Sequence, residues 1–82
     1  MRTIIFSSNS GKLLDALPPE VKETIENALS KLAVNGIGDV KKLSNPKETF
    51  RLRVGRYRVF FKQTQQIIDV FYVGKRDTTT YN

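Results

Sequence analysis

Apolar residues along this chain follow two different rhythms, and the rhythm changes near the middle. Residues 3–7 form a short β-rich run around Ile4, Ile5 and Phe6. The Ser-Asn-Ser-Gly stretch at 8–11 reads as punctuation that ends a first strand. Residues 12–17 fit a brief helix. Pro18 and Pro19 follow, tolerated at a helix start because the first N–H groups there have no intrahelical partner. Beyond them Val21, Ile25, Ala28, Leu29 and Leu32 recur at helical spacing, with polar residues around the rest of the wheel. This pattern predicts one amphipathic helix closing near Asn35-Gly36, with Glu20 and Glu23 early and Lys31 late to suit its macrodipole.

After the helix, residues 37–47 read as a connecting loop carrying Lys41, Lys42 and Lys47, with Leu43 anchored in the core and Asn45-Pro46 marking a turn. The period then becomes two. Residues 50–54 alternate, Gly55-Arg56 suits a two-residue hairpin turn, and residues 57–62 return. Residues 63–66 make a polar turn, and 67–73 a third hairpin strand. These elements predict an α+β fold of order β-α-α-β-β-β. The expected architecture is a small, mainly antiparallel sheet with two N-terminal helices packed on one face, all in a single domain over residues 1–82.

Counting outward from the Gly55-Arg56 turn sets Val54 against Tyr57, Arg53 against Arg58, Leu52 against Val59 and Arg51 against Phe60. Alternation then sends Phe50, Leu52, Val54, Tyr57, Val59 and Phe61 to the helix side, and Arg51, Arg53 and Arg58 to the other. Like charges directly across a strand pair are destabilising by up to about 1 kcal/mol, so the Arg53–Arg58 pairing is a poor device for stability alone. It suits an anion held between the two. A four-residue turn after Lys62 would add Phe71 beside Arg58 and Asp69 beside Phe60 on the same face, leaving Ile68, Val70 and Tyr72 in the core. Arginines interleaved with aromatics suit a base stacked beside a held phosphate. Arg76 then joins at the rim and Tyr81 in the tail. A single arginine on a wet strand is ordinarily just solvated, and it is the convergence that points to function. By the same weighing Lys41, Lys42 and Lys47 read first as solubilising charge. Lys41, Lys42, Arg56 and Lys75 are nonetheless the basic positions available to extend a nucleic-acid contact. Asp69 reads as a carboxylate that could soften the cluster, and Glu48, in alternation with the core side, as a weak base candidate.

Composition narrows the chemistry. An 82-residue chain buries only about 60% of its unfolded surface, so it builds one thin core. It has neither cysteine nor histidine, which removes disulfides, thiolate zinc sites, the usual proton shuttle and the commonest metal ligand. No metal and no cofactor are expected. The N-terminal apolar run is too short for a signal-peptide core or a membrane span, so a cytoplasmic protein without membrane contact is the expectation. With 14 Lys+Arg against 8 Asp+Glu the net charge is +6, which favours an anionic partner, either nucleic acid or an acidic protein.

The segment Phe50-Arg51-Leu52-Arg53-Val54-Gly55-Arg56-Tyr57-Arg58-Val59-Phe60-Phe61 strongly resembles the hairpin of the RelE/ParE toxin superfamily. Leu17-Pro18-Pro19-Glu20-Val21 is similar to that family's helix start, Lys42-Leu43 to the residues before its hairpin, and Val73-Gly74-Lys75-Arg76 with Tyr81 to its ending. The resemblance implies the toxin of a type II toxin–antitoxin pair. In the RelE-like branch it implies a ribosome-dependent endoribonuclease that cuts mRNA by attack of a 2′-hydroxyl on the adjacent phosphate, without a metal. By position, Arg58 matches the arginine that holds the scissile phosphate, Arg76 the arginine after the third hairpin strand, and Tyr81 the tail tyrosine. Arg51 and Arg53 stand where the best-known nucleases of the family carry lysines, and the step from Arg76 to Tyr81 is one residue shorter. Both departures leave the proton acceptor open, because arginine stabilises charge well but transfers protons poorly. Tyr81 is the best candidate, since neighbouring cations favour an ionised phenol. The implied partners are a cognate, acidic antitoxin that folds on binding, the ribosome and mRNA. The alternative is a ParE-type inhibitor that binds DNA gyrase and has no nuclease activity.

Overall fold

Seven elements form in the computed structural model, which describes residues 1–43 and 49–75. They are β1 (Thr3–Phe6), α1 (Ser8–Asp15), α2 (Pro19–Asn35), β2 (Val40–Leu43), β3 (Thr49–Val54), β4 (Tyr57–Gln63) and β5 (Ile67–Lys75). The first helix starts at Ser8 rather than Lys12, and the reason is local. Ser7 is its N-cap, with extended backbone, and its hydroxyl accepts a 3.1 Å hydrogen bond from the Ser10 N–H. The residues expected to end a strand therefore cap and open a helix. Ser10 is fully buried and its hydroxyl donates to the Val70 carbonyl at 2.7 Å, while the Ser7 N–H donates to the same carbonyl at 3.0 Å. These two bonds fasten α1 to β5.

Helix α2 follows the predicted spacing. Pro19 opens it and Glu20 occupies its first turn. Gly36 closes it in the left-handed region at φ +71°, donating its N–H to the Leu32 carbonyl at 2.9 Å. Asp15 at the end of α1 and Lys22 on α2 form a 2.8 Å ion pair, and the bonded carboxylate raises the lysine's pKa above its ordinary value. The pair is solvent-exposed, so it adds little stability.

The strands form one five-stranded sheet in the order β1-β5-β4-β3-β2, with β1 parallel to β5 and every other pair antiparallel. The fold class is as expected, with one strand more. Part of the presumed loop at 37–47 is β2, paired so that Val40 meets Leu52 and Lys41 meets Arg51. Val40, not Leu43, packs against the core from this segment. A four-residue edge strand with two central lysines gives no alternating apolar signal, and lysine on an edge discourages pairing with other chains. The predicted turn Asn45-Pro46 lies outside the described residues.

Both helices pack on one face. Leu14 of α1 and Ile25, Leu29, Leu32 and Ala33 of α2 close over Leu52, Val59, Phe61, Ile68, Val70 and Val73 of the sheet. Across β4 and β5 the register shifts at a bulge. Phe61 meets Val70 on the side of the turn, whereas Phe60 meets Tyr72 beyond it, so Phe71 is an extra residue. Val70 and Val73 are consequently both buried, and Tyr72 leaves the core position expected of it for the opposite face, where it is 41% exposed. Among the described residues no helix is long and apolar enough to cross a membrane.

The Ser10 bond gives a direct test. Ser10→Ala is expected to lower unfolding free energy by about 1–3 kcal/mol, because the Val70 carbonyl loses a buried donor, whereas exposed Ser8→Ala stays within about 0.5 kcal/mol. Urea denaturation measures both, and equal values for the two variants would show that the bond does not hold α1 in place.

Candidate nucleic-acid interface

Gly55 adopts φ +59°, which a two-residue hairpin turn needs and which an L side chain would strain. The turn sets the predicted register, Val54 to Tyr57, Arg53 to Arg58, Leu52 to Val59 and Arg51 to Phe60. On the face without helices, neighbouring strands then line up in rows. One runs Arg53, Arg58, Gly74, and the next runs Lys41, Arg51, Phe60, Tyr72. Cations line β2, β3 and, through Arg58, β4, and the aromatics lie on β4 and β5.

The three arginines differ in their partners. Arg53 is exposed, and its Nε donates to Asp39 Oδ2 at 3.1 Å, while its backbone N–H donates to the Asp39 carbonyl at 3.0 Å. The carboxylate that softens the cluster is therefore Asp39, whereas Asp69 stands across from Lys62. Arg51 and Arg58 are half-buried, and the Nε of each is shielded from solvent with no hydrogen-bond partner among the described residues. An unsatisfied buried donor costs about 1–3 kcal/mol, more when charged. An anionic oxygen arriving at this face would satisfy both groups, with the charge-assisted bonds that guanidinium forms best.

The aromatic half differs from expectation. The turn between β4 and β5 is tighter than the expected four residues, with Gln63 still in β4 and the Thr64 N–H donating to the Ile67 carbonyl at 2.9 Å. Together with the bulge it puts Gly74 rather than Phe71 beside Arg58, and Tyr72 rather than Asp69 beside Phe60. Phe60 has Tyr72 on one side, at 5.5 Å between ring centroids and 40° between planes, and Phe71 at 6.2 Å and 56°. Tyr72 is the residue that pattern reading misplaced. The glycine two positions on was the available signal, since glycine inside a strand marks a close approach.

The other candidates are dispersed. Lys41 joins the arginine row. Arg56 is exposed at the tip of the hairpin, and the registers of Lys42 with Phe50 and Lys75 with Tyr57 put both lysines on the helix side. Arg76, Tyr81, Lys47 and Glu48 lie outside the described residues. An open cleft of about 380 Å³ runs between α2 and β3, lined by Thr24, Ala28, Leu52 and Arg53 among others. It contains neither Arg51 nor Arg58, so the exposed sheet face has the stronger chemistry.

No family model and no curated protein matches the chain by sequence. Solved structures do match in fold. The archaeal RelE-RelB complex from Pyrococcus horikoshii superposes with a TM-score of 0.79 at 20% identity, over 95% of this chain and 98% of that one. Isolated RelE toxin from E. coli gives 0.79 at 19% identity, over 96% and 88%. The toxin–antitoxin complex RelBE2 from Mycobacterium tuberculosis gives 0.77 at 24%, over 92% and 98%. The chain has the RelE-like toxin fold.

If the face is built for an anion, its arginines carry a stability cost in the free protein. Arg58→Gln, which removes one member of a like-charged cross-strand pair, is expected to raise unfolding free energy by about 0.2–1 kcal/mol in buffer without multivalent anions. Added sulfate should raise the wild-type melting temperature more than that of the variant. A destabilised Arg58→Gln whose response to sulfate equals that of wild type contradicts this account.

Proposed function

We propose that the chain is the toxin of a type II toxin–antitoxin pair and inhibits translation as a ribosome-dependent mRNA endoribonuclease. The observation behind this reading is the pair of Nε donors on Arg51 and Arg58 that lack a partner among the described residues, set in a basic sheet face opposite the two described helices. The RelE-like fold supports it, since the solved chains of that fold include toxins in complex with antitoxins.

In this mechanism Arg58 and Arg51 seat the scissile phosphate and oppose the charge that builds on its oxygens. The 2′-oxygen attacks phosphorus as its proton leaves, the bond from phosphorus to the 5′-oxygen breaks, and that oxygen departs with a proton as a 5′-hydroxyl. A 2′,3′-cyclic phosphate remains on the upstream fragment. Guanidinium groups stabilise such a transition state electrostatically, and a separate group must accept the 2′-proton. Tyr81 is the candidate acceptor, and Arg76 a further phosphate ligand. No observation favours the gyrase-binding alternative.

The antitoxin is proposed as an acidic segment that orders on this face and supplies carboxylates to the same guanidiniums. Its affinity should fall as salt rises, through screening of the charged groups on either side. Calorimetric titration at two ionic strengths measures this, and equal affinity at both would argue against an electrostatic clamp. For the reaction itself, translating ribosomes incubated with the protein should yield mRNA ends in the A site. Arg58→Ala should slow cleavage by about 10²–10³-fold, the loss typical of one electrostatic contact to a transition state. Intact message with the wild-type chain defeats the nuclease reading, and inhibited supercoiling by purified gyrase would replace it with the alternative.

A further inference from the structure

We propose that Tyr72, flanked by Phe60, is a nucleobase platform that seats one base of single-stranded RNA beside the phosphate held by Arg58 and Arg51. The proposal rests on the reading above that this face takes RNA, and adds to it the residue that receives the base.

The bulge at Phe71 is what brings Tyr72 to the face. With Val70 at 0% and Val73 at 2% exposure both filling the core, the two residues between them have to leave it. Tyr72 does not project loosely into solvent. A Cβ built on Gly74 would lie 2.7 Å from Tyr72 Cε2 and Cζ, closer than real Cβ contacts, so the ring occupies the space that a side chain at 74 would otherwise fill. The ring therefore leans along β5 toward the residue that pairs with Arg58. Phe60, 5.5 Å away, walls it from the side. A tyrosine held this way has little rotamer freedom left to lose when a base stacks on it.

Position identifies the occupant. From Gly74 to Arg58 is one step across the sheet, about 4.7–4.9 Å, a reach over which a nucleotide joins its base to its own phosphate. The platform is thus continuous with two guanidinium Nε donors that lack a partner among the described residues, on a chain of net charge +6, the combination of aromatic surface and cationic track used to bind single-stranded nucleic acid. An apolar protein segment would leave those donors unsatisfied.

The test uses the whole protein without ribosomes and a labelled single-stranded RNA hexamer, with anisotropy as readout and thermal unfolding as a check on folding. Tyr72→Ala should weaken binding about tenfold, the order of one lost stacking contact, while Tyr72→Phe stays near wild type. Gly74→Ala, by displacing the ring, should resemble Tyr72→Ala. A hexamer with one abasic position should bind wild type more weakly but lose nothing further against Tyr72→Ala, whereas Arg58→Ala should weaken the intact and abasic RNAs alike. If Tyr72→Ala binds as wild type does while Arg58→Ala loses affinity, the platform is wrong and the phosphate site stands. If wild type binds no RNA, both the platform and the phosphate site on this face are overturned.

Discussion

The two-residue turn at Gly55-Arg56 fixes the register of β3 against β4, and the composition of both sheet faces depends on it. With Gly55 at φ +59°, Arg53 has no choice but to stand across from Arg58, and Arg51 from Phe60. A slip of one residue would turn Leu52 out to water and drive arginines beneath the helices. The burial of Leu52 and Val59 and the placement of the arginines on the opposite face are therefore a single constraint with two outcomes. Like charges remain neighbours because the core on the other face outweighs their repulsion.

That core is asymmetric. Both helices lie on one side, fastened at one end by the Ser10 hydroxyl on the Val70 carbonyl and sealed by Ile25, Leu29 and Leu32. Among the described residues the opposite face has no such cover and presents charge and aromatic rings instead. So small a chain builds only one core, and its uncovered face is where polar groups can remain unsatisfied until a ligand comes. Asp39 shows how selective this is, engaging Arg53 while Arg51 and Arg58 keep their Nε atoms free of any described partner.

Much of this was legible in the residues themselves. Helical spacing located α2, the Asn35-Gly36 pair located its end, and the hairpin turn gave the arginine face residue by residue. The features that escaped pattern reading share a cause, which is that each depends on contacts between distant parts of the chain. Strand β2 exists because Val40 finds Leu52, although its own sequence is half lysine. The start of α1 depends on Ser7 acting as a cap, and serine reads equally well as a turn residue. The bulge at Phe71 was the costliest omission, since an extra residue inverts every face assignment beyond it and periodicity does not register the insertion. It moved Tyr72 from the expected core to the site and, with a β4–β5 turn tighter than expected, put Gly74 beside Arg58. The positions assigned to Arg76 and Tyr81 lie outside the described residues.

The pairing of β1 with β5 also orders events during folding. Strands β2 to β5 are a meander of local hairpins, which closes quickly because little chain entropy is lost at each step. The parallel partnership is different, for the Ser10–Val70 bond joins residues 60 apart in sequence. On an emerging chain, β1 and α1 are made first but have nothing to dock on until β5 follows. The sheet's helix-side core therefore closes late, and the aromatic half of the opposite face, built on β5, is not in place before nearly the whole described chain has left the ribosome.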